Sequence, residues 1–163
     1  MKTVIIVRHA KSSWADIGMA DFDRPLNDRG QKDAPEMAAK LKKKGINIDL
    51  FISSPAKRAK KTAQFFAEEF EYPKEKILLV PQLYHAGVAD FMEVIYKLPD
   101  TIDTIILFSH NPGITEFVNR LTDIKIDNMP TCGVFAATVN CDNWVDFGQA
   151  KKKFYFLEYP KAV

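Results

Sequence analysis

Short apolar runs alternate with amphipathic stretches along most of the chain. Four apolar runs rich in β-branched residues are predicted to be buried strands: 3–7, 48–52, 77–80 and 103–108. The stretches between and after them carry apolar residues at helical spacing and predict four helices: 35–44, 55–70, 90–98 and 112–121. Two further strands are predicted at 134–139 and 154–157 with no helix between them, and loops at 21–27 and 84–89.

This order of elements predicts the α/β class. Four strand–helix pairs followed by two strands fit a three-layer α/β/α sandwich, with a mainly parallel sheet and an antiparallel edge strand. The 163 residues and a hydrophobic content of 47% suit one domain spanning residues 1–163. No internal repeat or linker divides the chain.

Composition and charge exclude several classes of protein. The net charge of +2 is only mildly basic, whereas a nucleic-acid binder would carry a concentrated basic face, so no nucleic-acid partner is expected. The apolar run before Arg8 is shorter than a signal peptide or membrane helix requires, so no membrane partner is expected either. Cys132 and Cys141 lack metal-ligand spacing and fit a reducing compartment, which favours a cytoplasmic location.

Polar groups follow three of the four predicted parallel strands at the point where each strand ends. They are Arg8-His9, Ser53-Ser54-Pro55 and Ser109-His110-Asn111-Pro112-Gly113. Ligand sites of open α/β sheets form at the carboxyl ends of the strands. We therefore expect these groups to converge on one site.

The residue types in these groups suit the chemistry of phosphate. A neutral imidazole such as His9 is a good nucleophile toward phosphorus, and the adjacent Arg8 guanidinium can bind phosphate oxygens with paired hydrogen bonds. Arg58 falls in the first turn of a predicted helix, where a cation opposes the helix dipole unless an anion binds there. His110 is expected beside the start of the fourth helix.

Two of these groups also have a purely structural interpretation. Ser54 is predicted to cap the second helix, with Pro55 at its first position. Asn111 and Pro112 are predicted to begin the fourth helix in the same way. This interpretation leaves the two histidines and two arginines unexplained, so a site is favoured.

The sequence resembles the histidine phosphatase superfamily, and within it the short SixA-type phosphohistidine phosphatases. The matching segments keep the family order and cover most of the chain: Val7-Arg8-His9-Ala10-Lys11-Ser12, Asp23-Arg24-Pro25-Leu26-Asn27-Asp28-Arg29-Gly30, residues 53–63 and His110-Asn111-Pro112-Gly113. The resemblance implies that His9 becomes phosphorylated, while Arg8, Arg58 and His110 bind the phosphoryl oxygens. Ser12 and Asn111 are expected to support phosphate binding.

The chain departs from two branches of that family in its general acid. The loop around Leu83–Gly87 lacks the glutamate of the mutase-like branch, and Asn111 stands where the acid-phosphatase branch has an aspartate. An alkoxide leaving group needs a proton, whereas the imidazole of a phosphohistidine leaves far more easily. His85 is the first candidate for a weak acid. The further candidates are Asp16, Asp21 and Asp23.

The sequence thus predicts a phosphatase acting on a phosphorylated protein or a small phosphorylated molecule, most simply on phosphohistidine. No metal or cofactor is expected, since arginines and histidines supply the positive charge. One alternative is a broad small-molecule phosphomonoesterase or mutase-like enzyme. Another is a non-catalytic module that binds a phosphorylated ligand. An ordinary nucleotide-binding domain is disfavoured because both phosphate-loop motifs, GxGxxG and GxxxxGK[ST], are absent.

Overall fold

A computed structural model describes residues 1–161 of the chain. Its six strands form one sheet: β1 Lys2–Arg8, β2 Leu50–Ser53, β3 Leu78–Leu79, β4 Thr104–Ser109, β5 Val134–Val139 and β6 Lys152–Glu158. Its four α-helices are α1 Asp28–Lys42, α2 Lys57–Glu69, α3 Val88–Tyr96 and α4 Gly113–Leu121. Each predicted strand and helix is present, with shifted ends for most of them.

The sheet is parallel over four strands and antiparallel over the last two pairings. The strand order is β3-β2-β4-β1-β5-β6. β3, β2, β4 and β1 pair in parallel, β5 runs antiparallel to β1, and β6 runs antiparallel to β5. This confirms the predicted fold class. β1 and β4 lie in the middle of the sheet, where helices cover both faces.

Alternate side chains of β1 point into two separate hydrophobic layers. Val4 and Ile6 pack in the layer that contains α3 and α4. Ile5 and Val7 pack in the layer that contains α1 and α2. A strand buried on both faces reads as a continuous apolar run, which explains why the sequence of β1 shows no alternation.

The first helix begins two turns earlier than predicted. Asn27 caps it by accepting a hydrogen bond from the amide of Gly30 at 2.8 Å, and the helix starts at Asp28. The predicted start at Pro35 is wrong, because this proline lies inside the helix rather than in its first turn. The helix also ends at Lys42, before the predicted end at residue 44.

The second and fourth helices start one or two residues later than predicted. α2 begins at Lys57, and its N-cap position is Ala56, so the predicted capping role of Ser54 is wrong. The Ser54 hydroxyl instead accepts a hydrogen bond from the Ala56 amide at 3.2 Å. α4 begins at Gly113, so Pro112 lies before the helix.

Within residues 1–161, no helix combines the length and apolar character needed to cross a membrane.

Candidate active site

Parallel pairing brings the three predicted groups to one edge of the sheet. Arg8 at the end of β1 lies opposite Ser109 at the end of β4, and Ser53 of β2 lies opposite Phe108 of β4. The segments that follow these strands therefore leave the sheet side by side. The convergence expected from the sequence is present in the structure.

The two predicted histidines face each other at this edge. The ring centroids of His9 and His110 are 5.1 Å apart, with the ring planes tilted by 52°. Both residues are buried, with 6% and 7% of their surface exposed. Burial, together with the positive charges of Arg58 and Arg8, lowers the pKa of His9 from its ordinary value to about 3. Burial also lowers the pKa of His110, so both imidazoles are neutral at pH 7.

A hydrogen bond to the backbone fixes the proton of His9 on one ring nitrogen. The Nδ1 atom lies 2.7 Å from the carbonyl oxygen of Ala10. Because a carbonyl oxygen only accepts hydrogen bonds, Nδ1 must be the donor, and in the neutral ring Nε2 keeps its lone pair. The Ala10 amide in turn donates to the hydroxyl of Thr62 at 3.0 Å, and that hydroxyl donates to the carbonyl of Arg58 at 2.8 Å.

His110 is held by a hydrogen bond to the segment that follows β2. Its Nε2 atom lies 2.8 Å from the hydroxyl oxygen of Ser54. Gly113, at the start of α4, approaches the neighbouring loop so closely that an added Cβ would lie 1.9 Å from the Ala86 carbonyl oxygen. The segment after β4 therefore needs glycine at this position.

The two predicted arginines, Arg8 half-buried and Arg58 buried, are anchored by other parts of the chain. Arg8 donates from Nη1 to the carbonyl of Met129 at 2.9 Å. Arg58, with 6% of its surface exposed, donates from Nη1 to the carbonyl of Asp21 at 2.8 Å and from Nη2 to the carboxylate of Asp21 at 3.0 Å. The charges of both arginines add to the effect of burial in lowering the pKa of His9.

Three buried nitrogen atoms of this group have no hydrogen-bond partner. They are the Nε of Arg8, the Nε of Arg58 and the Nδ1 of His110. Across residues 1–161, no other buried side-chain nitrogen or oxygen lacks a partner. An unsatisfied buried polar group costs about 1–3 kcal/mol, so three of them beside one another favour a ligand that accepts hydrogen bonds.

The first loop adds charged residues whose contacts the sequence reasoning missed. Arg24 is buried, donates to the hydroxyl of Ser12 at 2.6 Å and stacks over the Trp14 ring at 3.6 Å from the ring centroid. It also donates from Nε to the Asp21 carboxylate at 3.1 Å. Arg24 and Asp23 belong to a segment that resembles the family, and this resemblance was the available signal for Arg24.

The predicted supporting residues face protein groups. The Ser12 hydroxyl accepts the hydrogen bond from Arg24 described above. Asn111 donates to Asn128 and to the carbonyl of Met129, and its side-chain oxygen accepts from Thr115. Asn111 thus fixes the segment whose Met129 carbonyl anchors Arg8. A direct contact of Ser12 or Asn111 with phosphate stays a prediction.

The candidates for a general acid differ in their surroundings. His85 is exposed and packs on the ring of Tyr84, with 4.0 Å between the ring centroids. The Tyr84 hydroxyl donates to Asp21, and this bond, with those from Arg58 and Arg24, holds the pKa of the Asp21 carboxyl well below its usual range. Asp21 is therefore ionised at neutral pH and unsuited to donate a proton. Asp16 and Asp23 are exposed.

Among residues 1–161, no three histidine, cysteine, aspartate or glutamate side chains are grouped so that they could hold a metal ion.

The comparison with protein families agrees with the site. The sequence model of the histidine phosphatase superfamily (branch 1) matches residues 4–83, which include His9 and Arg58. This match over just under half of the chain supports membership of the superfamily. Membership indicates a phosphatase or mutase-like activity on a phosphorylated substrate.

Related proteins and structures extend the similarity beyond the matched segment. An uncharacterized chloroplastic protein of Arabidopsis thaliana is 29% identical over 152 residues, covering 88% of this chain and 69% of its own. SixA of Agrobacterium tumefaciens has a TM-score of 0.83 at 23% identity, covering 98% of this chain and 99% of that one. The protein histidine phosphatase SixA in complex with tungstate has a TM-score of 0.77 at 20% identity, covering 96% of each chain. The two SixA structures establish that the fold is SixA-like.

Proposed function

We propose that this chain is a phosphatase that hydrolyses phosphohistidine in a protein substrate through a covalent phosphohistidine on His9. The observation that carries the proposal is the group of three unpartnered nitrogens on Arg8, Arg58 and His110 beside a histidine whose Nε2 lone pair is free. The SixA structure that binds tungstate, an oxyanion of tetrahedral shape like phosphate, supports it.

Each side chain of the site has a separate role in phosphoryl transfer. The guanidinium groups of Arg8 and Arg58 hold the phosphoryl oxygens and neutralise their charge. A neutral His110 that accepts a hydrogen bond from Ser54 carries its proton on Nδ1, where it donates to a phosphoryl oxygen. The Nε2 of His9 attacks the phosphorus, and the leaving group departs with the electrons of its bond to phosphorus.

A water molecule completes the cycle. It attacks the phosphorus of phosphorylated His9, the P–N bond breaks, and the His9 ring returns to its neutral form with the proton still on Nδ1. Positioning and charge stabilisation supply most of the rate enhancement in such a mechanism. An imidazole leaving group depends little on protonation by a general acid. This fits a site in which the contacting carboxylate, Asp21, is ionised and cannot donate a proton.

The test is incubation of the protein with a phosphohistidine protein substrate, following phosphate release and an acid-labile phosphoenzyme. His9→Ala is expected to abolish both signals. His85→Ala is the matched histidine control and should still form the phosphoenzyme. Turnover by His9→Ala close to that of the wild type would refute the proposal. Faster turnover of sugar phosphates than of phosphohistidine would favour the phosphomonoesterase or mutase-like alternative.

A further inference from the structure

An ionised carboxylate contacts the proposed phosphate-binding arginine, although its negative charge opposes the binding of a dianion nearby. The Asp21 side chain accepts hydrogen bonds from Arg58 at 3.0 Å, from Tyr84 at 2.6 Å and from Arg24 at 3.1 Å. It is nevertheless 47% exposed, so lone pairs of its oxygens remain accessible. A negative charge there weakens the binding of any substrate with an anionic leaving group.

Aromatic rings flank this carboxylate on the side of the histidines. Tyr84 and His110 form a T-shaped pair with 5.6 Å between ring centroids, and Phe22 and Tyr84 form another at 5.1 Å. Phe22 follows Asp21 directly in the chain, and both belong to the 3-10 helix Asp21–Asp23. A flat ring that leaves the phosphorus beside Tyr84 would meet apolar faces and one acceptor of hydrogen bonds.

We propose that Asp21 is a specificity-determining residue that accepts a hydrogen bond from the free ring N–H of the leaving imidazole of phosphohistidine. This inference rests on the proposed function and adds the reason why that substrate is preferred. The Asp21 carboxylate favours binding of the phosphohistidine whose imidazole ring carries a proton on the nitrogen that is not bonded to phosphorus. That form departs as a neutral imidazole.

The transfer step balances with this proton in place. The Nε2 of His9 forms its bond to phosphorus while the P–N bond of the substrate breaks. The electron pair of the broken bond stays on the substrate nitrogen, and the second ring nitrogen keeps its proton and its hydrogen bond to Asp21. No proton has to be delivered to the leaving group.

The experiment compares two substrates in the wild type and in Asp21→Asn. One is a phosphohistidine peptide, and the other is p-nitrophenyl phosphate, whose leaving group is an anion without an N–H. The ratio of kcat/KM for the peptide to that for p-nitrophenyl phosphate is expected to fall by about 10- to 100-fold, the scale of one hydrogen bond to a charged group. The matched control Asp146→Asn, at an exposed aspartate on the 3-10 helix Trp144–Asp146, should keep the wild-type ratio.

A purely structural role of Asp21 gives a different result. If Asp21 only holds Arg58 in place, Asp21→Asn lowers kcat/KM for both substrates equally and the ratio stays constant, which would overturn the inference. If the wild type forms no phosphoenzyme from either substrate, the proposed function fails instead. The two failures are thus distinguishable.

A second measurement uses only the wild-type protein, in case Asp21→Asn does not fold. N-phosphorylimidazole carries the ring N–H when it is protonated, and its N′-methyl derivative does not. Relative to their uncatalysed rates, the enzyme should accelerate cleavage of the first compound about 10-fold more. Equal acceleration of both compounds would overturn the assignment.

Discussion

Replacing Arg58 with alanine should slow phosphorylation of His9 by about 100- to 1000-fold, the usual effect of losing one preorganised donor that stabilises developing charge. Arg58 is buried, and its Nε is one of the three unpartnered nitrogens, so its loss removes an oriented hydrogen bond as well as a charge. Water entering a site this buried can replace neither of them in a fixed position.

Replacing Arg58 with alanine also changes the pKa of His9. The charge of Arg58 is one cause of the lowered pKa of His9, so removing it raises that pKa. Burial is the larger cause and persists, so His9 stays neutral at pH 7 and keeps its lone pair. The loss of rate in Arg58→Ala therefore reports phosphoryl stabilisation and not protonation of the nucleophile.

The assay is single-turnover formation of the acid-labile phosphoenzyme at pH 7 with enzyme in excess over substrate. Arg58→Lys keeps the charge without the planar fork of donors and should recover only part of the rate. The neighbouring exposed Lys57, changed to alanine, is the matched control and should react at the wild-type rate. A rate for Arg58→Ala within threefold of the wild type, with normal urea unfolding, would refute this reasoning.

Three further results follow from contacts of the site. An NMR titration of His9 should show no midpoint between pH 8 and pH 5, because its pKa is about 3, and a midpoint near 6.5 would contradict the burial argument. Thr62→Val should lower the free energy of unfolding in urea by about 1–3 kcal/mol, because the amide after His9 loses its acceptor, whereas Thr62→Ser should lower it less. Gly113→Ala should lower the free energy of unfolding by about 1–3 kcal/mol through overlap of the new Cβ with the Ala86 carbonyl. Gly18→Ala, where an added Cβ would lie 3.5 Å from its nearest neighbouring atom, should melt like the wild type.

The sequence predicted the fold well where a segment is buried on both faces. The strand at Val134–Val139 has the predicted ends, since its apolar run is bounded by Gly133 and Asn140. Prediction failed at Pro35, because proline favours the first turn of a helix and its tolerance in the interior depends on local packing. The single domain and the cytoplasmic location stay predictions.

The candidate site was predictable as far as it depends on strand ends. His9 and His110 follow adjacent parallel strands, so their meeting follows from topology. The anchoring contacts were not predictable, because they use backbone carbonyls and a loop. Nothing in the composition around Met129 indicates that its carbonyl receives Arg8, and the loop that carries Asp21 and Arg24 shows no periodic pattern.

The partner of the His9 ring also bears on the energy of the phosphorylated enzyme. In serine proteases a buried carboxylate stabilises the histidine when it becomes positively charged. Here the ring proton meets the neutral carbonyl of Ala10. Once phosphorylated, the ring therefore keeps most of its electron-withdrawing character, and its P–N bond to the phosphoryl group breaks readily. The phosphorylated enzyme is expected to be hydrolysed rapidly rather than to accumulate.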